Sequence, residues 1–116
     1  RESRFSKIGG EMVPHISVEE ALNEELGAAD GELLAVVTAV PDRSKGERLV
    51  VFHLPTDHDP QAVIARLRGR GLPNLWVPSA DSFALIEEMP VLGSGKLDLR
   101  RLSDLARERF GVAETS

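Results

Sequence analysis

Residues 33–54 read LLAVVTAVPDRSKGERLVVFHL, two apolar runs joined by a charged turn. The first run, Leu33 to Val40, is continuous and rich in β-branched residues, which is typical of a strand covered on both faces. Pro41 to Gly46 carries turn residues, and Leu49 to Leu54 returns as a second strand. Because the connection is short, the two strands are predicted to be antiparallel neighbours at the heart of a small sheet.

A hairpin and a helix precede this strand pair. Residues 4–13, RFSKIGGEMV, place Gly9-Gly10 between two short extended arms, and glycine supplies the positive φ that a tight hairpin turn requires. Ser17 and Glu20 then match a capping box, in which side-chain oxygens accept hydrogen bonds from the free N–H groups of a helix start. The pattern predicts a helix over 18–26.

Two helices and a third strand follow the pair. Asp59-Pro60 predicts the start of the second helix, Phe83 to Met89 is a predicted strand, and Asp98 is the predicted cap of the last helix. The crossover makes strand three parallel to strand two, and the fully apolar strand one is the natural centre. We therefore predict an α+β fold, with a short β-hairpin ahead of a three-stranded sheet of order 2-1-3 packed with helices. The predicted parts are the hairpin at 4–13, an α+β core at 17–110 and a tail at 111–116.

The composition limits the class of protein. The chain has 116 residues, 14 basic and 19 acidic side chains, a formal charge of −5 and no cysteine. This length fits one soluble domain, and disulfides, thiolate zinc sites and cysteine nucleophiles are excluded. No apolar run approaches the length of a bilayer span. Scattered basic residues and few aromatics argue against nucleic-acid binding. Because Arg1 is not an initiator methionine, we expect a piece of a larger protein.

The segment Gly93-Ser94-Gly95-Lys96 is the first candidate for chemistry. It is not a Walker phosphate loop, because that motif needs a glycine where Pro90 stands and a serine or threonine where Leu97 stands. What is left is a lysine on a glycine loop, just before a helix, where its ammonium suits an incoming anion. An ordinary surface lysine fits the same pattern, so both interpretations stay open.

Other candidates have simpler explanations beside the functional ones. Gly9-Gly10 either only turns the chain or leaves a bare backbone edge past which a slender ligand slides. Asp57-His58-Asp59 looks like a ligand cluster, but Asp59 is explained as a helix cap, so we predict a solvated turn and no metal site. Glu87-Glu88 cannot share a substrate, since neighbours in a strand point to opposite faces. Trp76 is a predicted packing anchor.

Three blocks of the sequence resemble one enzyme family. RESRFSKIGGEMV at 1–13 is similar to the hinge and hairpin that open the C-terminal domain of adenylate-forming enzymes, the superfamily of acyl-CoA synthetases, luciferases and peptide-synthetase adenylation domains. PDRSKGERLVVF at 41–52 resembles the middle strand pair of that domain, and MPVLGSGKLDLRRL at 89–102 its terminal lysine motif. Within the superfamily, the hairpin, LPNLW at 72–76 and LGSGKLD at 92–98 are most similar to bacterial acyl-acyl-carrier-protein synthetase/2-acylglycerophosphoethanolamine acyltransferase proteins.

The resemblance implies a two-step ligase. A carboxylate and ATP, with Mg²⁺, give an acyl-adenylate and pyrophosphate, and the phosphopantetheine thiol of acyl carrier protein or CoA then accepts the acyl group. Lys96 is implied as the catalytic lysine, because a fixed cation relieves the charge that develops at the phosphoryl centre. Gly93, Ser94 and Gly95 are implied to support its loop.

The resemblance also implies a rotation of the domain between the two steps. Ser3 stands at the hinge position. Gly9, Gly10 and Lys7 are implied to line the pantetheine site after the rotation. Met12 stands where acyl-CoA synthetases commonly have an arginine, which favours a carrier-protein thiol over CoA.

The expected partners follow from the same resemblance. An N-terminal adenylation domain of the same chain is expected to hold ATP and the fatty acid, so this piece acts as a lid and is inactive alone. The expected location is the cytoplasm, with the parent protein at the cytoplasmic face of the bacterial inner membrane. The alternative is a free-standing acidic α+β module that binds a basic protein partner without catalysis.

Overall fold

The structure, a computed structural model, describes residues 5–29, 33–42 and 46–110 of the chain. The α+β class and the hairpin ahead of the sheet are confirmed. In chain order the elements are β1 (Phe5–Ile8), β2 (Glu11–Pro14), α1 (His15–Glu25), β3 (Ala35–Asp42), β4 (Gly46–His53), α2 (Pro60–Gly69), β5 (Phe83–Leu85) and α3 (Leu99–Phe110), with 3₁₀ turns at Asn74–Trp76 and Ala80–Ser82. The predicted tail at 111–116 lies outside the described residues.

The central strand of the three-stranded sheet is β4, so the predicted order 2-1-3 is wrong. β3 and β4 pair antiparallel along their whole length, and β5 adds in parallel on the other side of β4, where Val51 pairs with Phe83. The continuous apolar run of β3 does indicate cover on both faces. As an edge strand it obtains that cover because α1 packs on one face and α3 on the other.

The sheet separates two apolar cores. We call the side that carries Ala35, Val37, Leu49 and Val51 the first face; there the sheet packs against the hairpin, α1 and α2. The second face carries Val36, Val40, Val50 and Phe52, and α3 covers it. Trp76 packs against the core of the first face, as predicted.

Polar side chains of α1 close the free edge of β3. The Asn23 Oδ1 atom accepts hydrogen bonds from Leu34 N–H at 2.7 Å and Ala35 N–H at 3.0 Å, and its Nδ2 donates to Ala35 O at 3.0 Å. One turn earlier, Glu19 is buried and its Oε2 accepts from Val37 N–H at 2.9 Å. At Leu34, Ala35 and Val37 the edge backbone is therefore bonded to side chains, which hinders the addition of another strand at this end of β3.

Helix α1 begins at His15, and the predicted capping box is wrong. The N-cap position is Pro14, and no side chain makes a capping hydrogen bond there. His15 is buried and its Nε2 is hydrogen-bonded to the Ser6 hydroxyl of β1, so the helix starts directly after β2. Ser17 therefore falls within the first turn, where its side chain is exposed.

The later boundaries agree more closely with the pattern. Asp59 is the N-cap residue of α2 with Pro60 at the first helical position, although the Asp59 carboxylate makes no capping bond. Asp98 does cap α3, since its Oδ1 accepts from Arg101 N–H at 3.1 Å. The predicted strand from Phe83 to Met89 ends at Leu85.

Candidate functional site

Lys96 lies at the base of a tight hairpin loop. Leu92 N–H donates to Lys96 O at 2.7 Å, and Gly95 N–H donates to Leu92 O at 2.8 Å, while Val91 bridges to Leu97. Gly95 has φ +88°, the left-handed conformation of a glycine bulge that follows a turn. The loop therefore has a defined shape, and that shape requires glycine at 95.

The Lys96 side chain lies at the surface of the part of the chain that the structure describes. It is exposed, and within residues 5–29, 33–42 and 46–110 its ammonium makes no ion pair or hydrogen bond. Beside it, Val91 and Leu92 are 57% and 48% exposed. Leu97 and Leu99, just after it, pack on the second face. The loop therefore carries one exposed cation beside two exposed apolar side chains.

The other two predicted support residues form the exposed corner of this loop. A Cβ on Gly93 meets nothing within 4 Å, and Gly93 does not have a positive φ. Ser94 is exposed. Of the three predicted support residues, Gly95 is the one whose backbone conformation explains its identity. The roles assigned to Lys96 and its loop stay predictions.

The Gly9-Gly10 turn joins β1 to β2. The two glycines have φ +57° and +89°, which is the type I′ geometry of a two-residue hairpin. A Cβ on Gly10 meets nothing within 4 Å, so the backbone conformation and not the space inside this domain calls for glycine. Lys7 pairs with Met12 next to the turn, and both side chains are exposed.

Besides the core packing of Ile8 and Val13, three contacts among the described residues hold this hairpin on the domain. Ser6 is bonded to His15 of α1, and Leu75 lies 3.6 Å from where a Cβ of Gly9 would be. Sequence reasoning missed the third contact, in which Lys7 N–H donates to Glu47 Oε1 at 2.7 Å. These partners are 40 positions apart in the chain, so only the folded structure reveals them.

The structure does not bring the two predicted sites together. The hairpin with Lys7, Gly9 and Gly10 packs on the first face, and the Lys96 loop is mounted on the second. The two features therefore face opposite sides of one sheet. The predicted hinge residue Ser3 lies outside the described residues.

The charged groups elsewhere carry little chemistry. Arg70, the C-cap residue of α2, donates side-chain hydrogen bonds to Glu25, at 2.9 Å, and to Glu24. These bonds raise the pKa of Arg70 and tie α2 to α1. In the described ranges, Asp57-His58-Asp59 included, no three His, Asp or Glu side chains are grouped to hold a metal ion. None of the described helices has the length and apolar character needed to cross a bilayer.

Comparisons with known proteins place this fold. No protein-family model matches the chain. The chain is 34% identical over 104 residues to the 2,3-dihydroxybenzoate-AMP ligase of Bacillus subtilis strain 168, covering 88% of this chain and 18% of that protein. It superposes on the amide bond synthetase McbA from Marinactinospora thermotolerans with a TM-score of 0.73 and 26% identity, covering 93% of this chain and 20% of that one. The Brucella canis acyl-CoA synthetase gives a TM-score of 0.75 at 21% identity, over 94% and 20% of the two chains.

The chain spans about a fifth of the length of these relatives. Sequence similarity to an AMP ligase and a shared fold with two synthetases confirm the resemblance predicted from the three sequence blocks. The narrower resemblance to acyl-carrier-protein synthetases stays a prediction. The chain therefore belongs to the adenylate-forming enzymes and has the fold of their C-terminal domain.

Proposed function

We propose that this chain is the mobile C-terminal lid of an ATP-dependent fatty-acid ligase. The observation that carries the proposal is the exposed Lys96 ammonium on a loop fixed by Gly95, with the glycine hairpin on the opposite face of the sheet. Two faces of one small domain can each serve one step of a two-step reaction.

In the first step the lid presents its second face to the nucleotide. A carboxylate oxygen of the fatty acid attacks the α-phosphorus of ATP, the bond to pyrophosphate breaks, and an acyl-adenylate forms. The Lys96 cation balances the negative charge that builds on the attacking and phosphoryl oxygens. A preorganised donor of this kind is worth on the order of 10²- to 10³-fold in rate.

In the second step the lid turns and presents its first face. The thiol sulfur of a phosphopantetheine arm attacks the acyl carbon, the bond to AMP breaks, AMP leaves, and the thiol proton passes to solvent. Gly9 and Gly10 carry no side chains, so the arm can pass close to their backbone. The acceptor is acyl carrier protein or CoA.

The rest of the machinery belongs to a large N-terminal domain of the parent protein. Relatives about five times as long as this chain support that assignment. ATP, the fatty acid and Mg²⁺ bind mainly there. The described residues offer no grouped ligands for Mg²⁺, so we assign no step on this chain to the ion.

The test measures the two half-reactions separately in the full-length parent enzyme. Lys96→Ala lowers acyl-adenylate formation, followed by pyrophosphate exchange, by about 10²- to 10³-fold. The same variant keeps near wild-type thioester formation from supplied acyl-adenylate. Gly10→Val does the reverse, because its side chain obstructs the arm and strains a positive φ.

Arg68→Ala removes another exposed cation, on α2, and leaves both half-reactions intact. Equal losses in both half-reactions for Lys96→Ala and Gly10→Val contradict the two-face mechanism. Two substrate screens identify the acid and the acceptor. The pyrophosphate exchange is run with fatty acids of several lengths and with 2,3-dihydroxybenzoate. The transfer is run with carrier protein, CoA and a simple amine. A fatty acid and a thiol are expected to be preferred.

A further inference from the structure

The backbone of Lys7 turns its hydrogen-bonding groups away from the hairpin. Ile8 and Glu11 flank the two-residue turn as a directly opposed pair, and Lys7 and Met12 form the next pair. Opposed pairs in an antiparallel ladder alternate between bonded and non-bonded, so the N–H and C=O of Lys7 point outward from β1. Such outward groups need partners from another part of the molecule.

The start of β4 meets both of these groups. Lys7 N–H donates to Glu47 Oε1 at 2.7 Å, a short bond to a carboxylate oxygen. On the same side, a Cβ built on Gly46 would lie 3.5 Å from Lys7 O. Gly46 also has φ +89°, a left-handed backbone that glycine adopts without a Cβ penalty. Glu47 follows it directly and reaches β1.

This contact lies close to the tip of an element that is weak alone. A two-stranded hairpin is at best marginally stable without further packing. Ile8 and Val13 anchor the hairpin in the core of the first face, and Leu75 lies 3.6 Å from where a Cβ of Gly9 would be, whereas nothing lies within 4 Å of a Cβ on Gly10. The carboxylate of Glu47 binds β1 one residue pair before the turn.

We infer that Glu47 is a positioning residue for the acyl-transfer step: it fixes the position and orientation of the Gly9-Gly10 turn relative to the sheet through the backbone of Lys7. The inference rests on the proposed function. A displacement of about 1 Å at a reacting site can cost on the order of 10²-fold in rate, so a hairpin released at one bond slows transfer. Adenylate formation, served by the other face, does not depend on this contact.

The experiment compares three variants of the full-length parent enzyme. Glu47→Ala is expected to lower the rate of thioester formation from supplied acyl-adenylate about tenfold, the size of one lost hydrogen bond to a charged group. Pyrophosphate exchange stays at the wild-type rate. Glu47→Gln keeps an acceptor oxygen and restores most of the transfer. Glu20→Ala removes an exposed carboxylate from α1 and changes neither half-reaction.

Amide hydrogen exchange gives a readout independent of turnover. In Glu47→Ala, the peptide covering 5–12 exchanges faster than in the wild type, and peptides from α3 do not. If Glu47→Ala does not fold, Glu47→Asp, which withdraws the carboxylate by one methylene, takes its place under the same criteria.

Gly10→Val, measured alongside, distinguishes a failure of the positioning role of Glu47 from a failure of the proposed function. Impaired transfer in Gly10→Val together with wild-type transfer in Glu47→Ala overturns the positioning role of Glu47 alone. Equal losses of exchange and transfer in Glu47→Ala also overturn it, since they indicate a general structural defect. Wild-type transfer in Gly10→Val overturns the proposed function itself.

Discussion

Gly93 and Gly95 flank Ser94 in the Lys96 loop, yet the backbone makes different demands on them. Gly95 has φ +88°, whereas Gly93 is not among the positive-φ glycines, and a Cβ at either meets nothing within 4 Å. Gly95→Ala is therefore expected to cost about 1–2 kcal/mol of unfolding free energy through backbone strain. Equilibrium urea denaturation measures this cost.

Gly93→Ala is the matched control for that strain. It adds the same methyl group in open space without a left-handed backbone, so it leaves stability unchanged or slightly raised. Equal destabilisation by both substitutions would show that the methyl group, and not the φ of Gly95, causes the loss.

Single residues also mark the limit of what the sequence predicts. The Gly9-Gly10 turn and the Asp98 cap depend on neighbours within a few positions, and both were predictable from local pattern. Glu47 and Asn23 act on backbone groups that lie far along the chain or in another element. Their partners are set by the packing of whole elements, and the spacing of residues in the sequence does not reveal that packing.

At the scale of elements, α1 and β3 depend on each other through Asn23. Asn23→Ala removes the hydrogen bonds to Leu34 N–H, Ala35 N–H and Ala35 O, and leaves partly buried backbone groups unpaired. The expected loss is about 1–3 kcal/mol of unfolding free energy. Thermal or urea denaturation of the chain measures it.

Ser17→Ala is the control on the same helix. Ser17 is exposed and makes no capping bond, so the change stays within about 0.5 kcal/mol of the wild type. A loss as large as that of Asn23→Ala would restore the capping box that the structure rejects. The error in the sequence prediction has a tertiary cause, because burial of His15 against Ser6 draws the helix start forward.

The strand order shows the same limit at the level of elements. The apolar run of β3 correctly predicted cover on both faces, and hairpin connectivity correctly predicted its antiparallel partner. Central position and two-sided cover are different properties, however. The pattern of one strand cannot distinguish them, because a helix covers a face as well at an edge as at the centre.

Over the whole molecule, two cores share one sheet. A substitution that destabilises the core on one face is therefore expected to lower the stability of the core on the other face. Leu102 of α3 is fully buried on the second face, and Leu102→Ala is expected to cost about 2–5 kcal/mol. Trp76, the single tryptophan, packs on the first face. Its fluorescence and the far-UV circular dichroism should therefore shift to the same lower denaturation midpoint. A Trp76 midpoint unchanged from the wild type would indicate that the two faces unfold independently.

For the candidate site, too, the local segments were predictable from the sequence, but their placement in the fold was not. Each half, the Lys96 loop and the glycine hairpin, is contained in fewer than fifteen consecutive residues and was found from sequence alone. Their placement on opposite faces depends on which face of the sheet the hairpin, α1 and α3 cover. That choice is made by the assembly of the elements.

The closed edge of β3 has a consequence for encounters between copies of this protein. On the far side of the sheet, Leu85 O of β5 accepts a bond from Arg109 Nη1 at 3.4 Å. A second molecule that approaches the sheet at Leu34, Ala35 and Val37 on one side, or at Leu85 on the other, thus meets backbone already bonded to side chains. Fibril growth begins with such intermolecular pairing, and the side-chain bonds at these positions disfavour its first step.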